Sequence, residues 1–352
     1  MNETPINTTT NRLGAGVSEE QVLDAVVRSG YPLQTVIGDV LRAKSFSRNE
    51  KFTIQEEWSF IDRDTKELRT LDLLAELRLH DWNPQPRVRP QLCLLIECKQ
   101  SQLPYVFFQT SSKPHLFNFP MVAGLRSDKI AITTDDDPST WTLSVINVLD
   151  LERDPFQFTP PFCHTLSKCV RKGSDLELSG SDAYNGLVLP LVKALQHYAI
   201  AHTPVDTAWY YDCNFTVAVA ILDAPMIGVS VEQSEPILSM LPWVRVLRHE
   251  YLEDAERFER DRHWVLDVVH KDFFSDYLDK HLIPFVERSA ERVLRHTTEL
   301  ATGSAFVPRM GANGWGTFEV RMKPRSTVSR VARATAVGRN ILKQFTRRTE
   351  DK

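Results

Sequence analysis

Three side chains have the types and spacing to handle a phosphodiester. Asp72 lies inside Leu71-Asp72-Leu73-Leu74-Ala75, and Glu97 and Lys99 close the run Leu92-Cys93-Leu94-Leu95-Ile96-Glu97-Cys98-Lys99. Each acid is set into an apolar, strand-like stretch, where burying a carboxylate is costly unless positive charge sits beside it. Two acids and a lysine meeting at the end of a sheet would hold a divalent cation together with a phosphate. The structural alternative is a buried Glu97–Lys99 ion pair bracing a sheet, a weak source of stability because desolvation opposes the attraction. Acid-x-lysine alone carries little information, since Asp64-Thr65-Lys66 and Glu350-Asp351-Lys352 repeat it. Only Glu97-Cys98-Lys99 ends an apolar run with an acid-bearing strand before it.

The elements that position these residues begin with two helices. Ser18-Glu19-Glu20-Gln21 reads as a capping box, Ser18 being the N-cap and Gln21 the third helical residue. Val22, Leu23, Val26 and Val27 form an apolar face behind it, and Gly30 suits a left-handed stop. Pro32 opens a second helix. Its residues Leu33, Val36, Ile37, Val40 and Leu41 recur at the spacing of one buried stripe. Gln34 lies at the margin of that stripe, at the end from which a side chain could reach the sheet. Lys51 to Ile61 and Glu67 to Leu79 read as a hairpin around Asp62-Arg63-Asp64-Thr65-Lys66. Strict alternation puts Asp72, Leu74 and Glu76 on one face and Leu71 and Leu73 on the other. His80 to Pro90 is a loop. Gln91 to Lys99 is continuously apolar, the pattern of a strand buried on both faces, with Cys93, Leu95, Glu97 and Lys99 sharing one of them.

Leu103 to Asp182 reads as a long insertion of irregular short strands, with the acidic triplet Asp135-Asp136-Asp137 and a turn at Pro160-Pro161. Tyr184 to Ala201 is predicted as a helix with Leu187, Leu191, Leu195 and Tyr198 along one stripe. Phe215 to Leu222 and Ile227 to Val231 are apolar strands. Glu232 to Leu300 reads as mostly charged and helical, with Phe273, Tyr277, Phe285 and Val286 for packing, and as a cover or dimer face. Val328 to Phe345 suits one basic amphipathic helix.

With 42% hydrophobic and 25% charged residues over 352, the chain has the composition of a soluble globular protein and enough length for a large core. No run approaches 18 apolar residues, so no transmembrane helix is expected. Met1 to Gly16 has neither the charged nor the apolar segment of a secretory signal, and the five cysteines lack framework spacing. Together these predict a cytoplasmic protein with reduced thiols and no membrane partner. The net charge of -4 divides unevenly: residues 308–352 carry eleven Lys/Arg against three acids, or +8, leaving -12 on the rest. Such a tail suits a polyanion, with Arg330, Arg333, Arg339, Lys343, Arg347 and Arg348 as candidate phosphate contacts; a solvated or protein-binding tail fits equally. Cys163-His164 with Cys169 lacks zinc-site spacing, and the sequence contains no H-E-x-x-H, P-loop or G-x-S-x-G motif.

The order helix, strand, strand with Asp72, strand with Glu97-Cys98-Lys99, insertion, helix, strand resembles the PD-(D/E)XK, or restriction-endonuclease-like, nuclease superfamily. The resemblance covers residues 18 to 100 and, more loosely, 183 to 231. It implies an α/β fold with an αβββαβ core, a mixed central sheet flanked by helices, bearing here a long insertion and a helical C-terminal region. It implies a core over 17–231 including the insertion 101–182, after a disordered lead over 1–16. A helical region over 232–303 and a basic, flexible tail over 304–352 complete the division. It further implies Mg2+, or Mn2+ in its place, held by Asp72, Glu97 and the backbone carbonyl of Cys98. Lys99 would orient the attacking water, with Gln34 and Gln100 as accessory residues. Leu71 stands where the motif has proline. Gln34 stands where many members have a glutamate on the first core helix. The expected activity is metal-dependent hydrolysis of phosphodiester bonds in DNA, with a homodimer or partner protein engaged through the helical C-terminal region. The alternatives are a catalytically inactive nuclease-like domain that binds nucleic acid or serves in an assembly, and a helical interaction protein working through residues 232–300.

Overall fold

A computed structural model describes residues 12–44, 46, 50–112, 118–134, 140–249, 263–307, 322–323, 331 and 334–335. The candidate tail residues Arg330, Arg333, Arg339, Lys343, Arg347 and Arg348 lie outside these, as does the acidic triplet.

The capping box forms as expected. Ser18 Oγ accepts from Gln21 N at 3.2 Å and Gln21 Oε1 accepts from Ser18 N at 2.9 Å, opening helix α1 (Glu19–Ser29). Gly30, at φ +82°, ends α1 in the left-handed region and leads directly into α2 (Tyr31–Ala43). The expected burial of α1 does not occur: Val22, Leu23, Val26 and Val27 are all exposed. The sheet face behind these helices is filled by α2 and later helices, which leaves α1 outside. On α2, Leu33, Ile37 and Leu41 are buried with Gln34, while Val36 faces solvent.

Then follow β1 (Thr53–Ile61), β2 (Leu68–Arg78), β3 (Val88–Gln100), β4 (Tyr105–Thr110), β5 (Met121–Ala123), β6 (Lys129–Thr133), β7 (Thr140–Ser144) and a one-turn α3 (Val145–Val148). Next come β8 (Phe162–Lys172), β9 (Asp175–Ser179), the short α4 (Gly180–Ala183), a π-helical turn and α5 (Leu189–Ala201). The remainder is β10 (Tyr211–Asp223), β11 (Met226–Glu232), β12 (Glu235–Met240), β13 (Trp243–His249), β14 (His263–His270), α6 (Phe274–Asp276), α7 (Ile283–Arg295), α8 (Thr297–Thr302) and β15 (Ser304–Phe306).

One 12-stranded mixed sheet dominates, in the order β1-β2-β3-β10-β14-β13-β8-β4-β11-β12, with β5 added to β10 and β9 to β8. A second sheet joins β15, β6 and β7. Strand β3 is the inner member predicted by its apolar run. It pairs antiparallel with β2 and parallel with β10 over its whole length, and Leu92 to Cys98 are all buried. Burying each large apolar side chain there contributes roughly 1.5–3 kcal/mol. On one face lie α2, α7 and α8, with Leu33, Ile37, Phe285, Val286 and Leu300 against Leu94 and Ile96. The opposite face is covered by the Tyr184–Ala201 helical segment, where Leu187, Leu191, Leu195 and Tyr198 meet Cys93 and Leu95 as its stripe predicted. Among the described residues no helix is long and apolar enough to cross a membrane.

Two expectations need correction. The stretch 101–182 is more than an insertion of irregular short strands, because β4 and the eleven-residue β8 are interior strands of the main sheet. Nor is 232–303 a helical region throughout: among its described residues β12, β13 and β14 come before Lys271, and the described helices follow them. The charges that suggested a helix are in part buried. Arg245 and Asp267, on neighbouring strands β13 and β14, are fully inaccessible. The guanidinium donates to both carboxylate oxygens at 2.7 and 2.9 Å and to the Phe156 and Gln157 carbonyls at 2.9 Å. The Tyr277 hydroxyl donates to Asp267 Oδ2 at 2.9 Å, and the Phe119 and Phe156 rings pack against the guanidinium. Truncating one partner strands the other charge out of water. Asp267→Ala is therefore expected to cost about 3–5 kcal/mol in urea unfolding, whereas replacing both partners with apolar residues of similar volume costs much less.

Candidate active site at the fork between β2 and β3

The ladder between β2 and β3 runs from Arg78↔Gln91 to Leu73↔Ile96 and stops. At the next step a side chain replaces the backbone. Asp72 Oδ2 accepts the Cys98 N–H at 2.6 Å, so the carboxylate lies between the two strands and spans the fork. The neighbouring β1–β2 ladder breaks at the same level: Glu56↔Leu73 and Trp58↔Leu71 pair, while Glu57, opposite Asp72, does not. Glu57 takes φ +51° in the middle of a strand, a conformation that is costly for a residue with a Cβ.

This break overturns the simple alternation. Leu73, Ala75 and Leu77 pack on the α2 side, and so does the partly buried Ile54 of β1. Leu71 and Phe60, with the partly buried Trp58, pack on the α5 side together with Leu74. Leu71 and Leu73, two residues apart, therefore face opposite ways. Both strands rotate at the Glu57/Asp72 level, which is what releases the Asp72 side chain toward β3.

Glu97 and Lys99 sit at the C-terminal end of β3, beside the ends of the parallel strands β10 and β14. Ligand sites in open α/β sheets gather at such strand ends. The two side chains share a face, as alternation predicted, and Lys99 Nζ donates to Glu97 Oε1 at 2.5 Å. Glu97 is only 5% exposed, and its other oxygen, Oε2, is buried with no hydrogen-bond partner. Gln34 reaches the site through the backbone, its Nε2 donating to the Asp72 carbonyl at 3.1 Å. Gln100 is exposed at the strand end, paired in register with Asp223, whose carboxylate meets Lys271 at 3.0 Å. Asp223 and Lys271 carry no motif of their own and come to this end only through the parallel register. The Cys98 thiol turns to the α2-side core. Burial, with the Asp72 and Glu97 charges, holds it protonated far above its usual range.

Electrostatics mark the same group. Burial and the nearby Asp72 charge push the Glu97 carboxyl up to about 7, against the pull of Lys99 and of the Asp72 backbone N–H. Asp72 is raised too, first by burial and also by the Glu57 charge, while the Cys98 amide and Lys99 pull it down. Burial works against the charged form of Lys99, yet the Glu97 and Asp72 carboxylates raise it overall.

The residues present suit a hard divalent cation in their donor chemistry: two oxygen-donor side chains and a buried, unpaired carboxylate oxygen. In an extended strand the N–H and C=O of one residue point the same way, so the Cys98 carbonyl shares the fork with its amide. Among the described residues, however, no three His, Cys, Asp or Glu side chains converge closely enough to enclose an ion. The chain matches no family model, no curated protein and no solved structure. Fold and site alone define its class: a mixed α/β protein with paired carboxylates and a lysine at a strand end.

Because the folded state holds a proton on Glu97 up to about pH 7 and the unfolded state releases it near 4.5, stability from this group is greatest below 4.5 and is lost as pH rises to about 7. The difference is about 3 kcal/mol. Urea unfolding of Glu97→Gln at pH 5 and pH 8 should show a smaller pH dependence than the parent; an equal one would remove Glu97 as the responsible group.

Proposed function

We propose that the chain is a metal-dependent nuclease that hydrolyses phosphodiester bonds in DNA. The observation that carries this is the meeting of Asp72, Glu97 and Lys99 at the end of β3, with a buried Glu97 oxygen left unpaired. The order α2, β1, β2, β3, α5, β10, with β3 parallel to β10, supports assigning the restriction-endonuclease-like αβββαβ core to these elements.

Asp72, Glu97 and the Cys98 carbonyl would hold Mg2+, or Mn2+ in its place. When bound, the cation acts as a Lewis acid and lowers the pKa of a water. Glu97 must give up its proton to take part, so proton and cation compete for it, and cation binding should weaken as pH falls. The Lys99 ammonium, partly exposed beside Glu97, is free to donate to a phosphate oxygen and to offset negative charge as it develops there. Gln34 fixes the Asp72 backbone and positions its side chain indirectly.

A second proposal, a catalytically silent domain that binds DNA or assembles with a partner, is favoured by one observation. The helix position that could add an acid holds Gln34, whose amide is committed to a backbone carbonyl. Incubating plasmid and single-stranded DNA with Mg2+ or Mn2+ separates the two. Asp72→Ala and Lys99→Ala should each lower cleavage about 100-fold or more. Cleavage that survives both substitutions would dismiss this centre, and absence of cleavage with intact DNA binding would establish the silent domain. Deleting residues 308–352 should flatten the dependence of log Kobs on log salt in DNA binding. An unchanged slope would rule the tail out as a phosphate contact.

A further inference from the structure

We infer that Glu57 is the third acidic ligand of this site, closing on a divalent cation from β1 in place of a helix glutamate. The inference rests on the metal-dependent reading of the site and adds a residue to it. The flanking pairs Glu56↔Leu73, Trp58↔Leu71 and Leu73↔Ile96 bring Glu57, Asp72 and Glu97 to one level of β1, β2 and β3, although no two of the three acids are themselves paired in the ladders. Like charges set across neighbouring strands destabilise a sheet unless something positive joins them. Lys99 is the only cation paired to any of the three among the described residues, which leaves two negative charges over when all three are ionised. That is the deficit a divalent cation fills.

The backbone of Glu57 points the same way. Its left-handed φ lies at mid-strand rather than in a turn, at the step where both strands rotate. Strain of this kind persists where surrounding structure imposes it, and it clusters at functional sites. The adjacent Glu56 is occupied by Arg42 of α2. Glu57, in contrast, is exposed, and among the described residues its carboxylate makes no hydrogen bond or ion pair, while its carbonyl accepts from Ser59 Oγ at 3.3 Å. An unpaired, solvent-facing side chain can rotate toward Asp72 without breaking a contact. On the far side of Asp72, the buried Oε2 of Glu97 has no hydrogen-bond partner and leaves an acceptor open for the same cation. The three carboxylates do not enclose a point as they stand, so the inference requires the Glu57 side chain to turn toward Asp72.

The test is Mn2+ binding by the full chain, read from the loss of the free-ion paramagnetic resonance signal, with no DNA present. The parent should bind, and Glu57→Gln and Glu57→Gly should each weaken binding about tenfold or more. Asp72→Asn should weaken it at least as far, with Glu97→Gln as the control should that variant fail to fold. Glycine accepts the left-handed conformation, so Glu57→Gly should not lower Tm, which separates loss of the ligand from loss of the fold. Parent-like affinity in both Glu57 variants, with binding lost in Asp72→Asn, would overturn the role of Glu57 and leave the nuclease proposal standing. No Mn2+ binding by the parent would overturn both.

Discussion

The hydrogen bond from the Cys98 amide to the Asp72 carboxylate is the contact on which the site depends. A backbone N–H at the end of an interior strand must find an acceptor, and here β2 no longer offers a carbonyl because the ladder has ended at Leu73↔Ile96. Asp72 substitutes a side chain for the missing backbone partner. The cap keeps β2 and β3 from fraying further while holding them apart, and the gap so formed contains the only part of β3 where charged side chains follow the apolar run. The rotation of β1 and β2 at Glu57 and Asp72 belongs to the same event, since a strand in regular alternation would direct the Asp72 side chain above the sheet instead of between its strands.

Holding negative charge in that gap is expensive. Glu97 lies in the covered part of β3, with α5 over one face of the sheet and α2 over the other, and both burial and Asp72 oppose its ionisation. One lysine offsets part of this, and its own charged form is sustained only by the two acids. Each member therefore depends on the others. A change at any one of Asp72, Glu97 or Lys99 alters the protonation of the remaining two, which makes double-mutant coupling in this group strongly non-additive.

Much of this was legible from residue order because its signals are local. The Leu92–Ile96 run announced a strand buried on both faces, and acid-x-lysine at its end placed two side chains on one face by simple alternation. Alternation failed one strand earlier. Leu71 and Leu73 separate because of a backbone rotation at Glu57 that no side-chain pattern records, a glutamate being an uncommon residue for positive φ. The charged stretch after Glu232 misled for a different reason. Arg245 and Asp267 are among the charges of that stretch, but they neutralise one another across two neighbouring strands, and pairing between positions 22 residues apart leaves no periodic trace. The Val22 to Val27 stripe of α1 shows the converse, since an apolar face signals a helix without specifying a neighbour to cover it.

The two buried ion pairs illustrate what separates a structural charge from a chemical one. Around Arg245 and Asp267 three of the guanidinium nitrogens and both carboxylate oxygens are engaged, with Tyr277 and two carbonyls completing the set. Both oxygens of the Asp267 carboxylate have donors, and the pair ties β13 and β14 to the Phe156–Gln157 backbone. Around Glu97 and Lys99 the arrangement is unfinished: one carboxylate oxygen is buried without a donor, and the lysine is partly open to solvent. The difference between the two pairs lies in that one Glu97 oxygen at the end of β3 and in the exposure of its lysine.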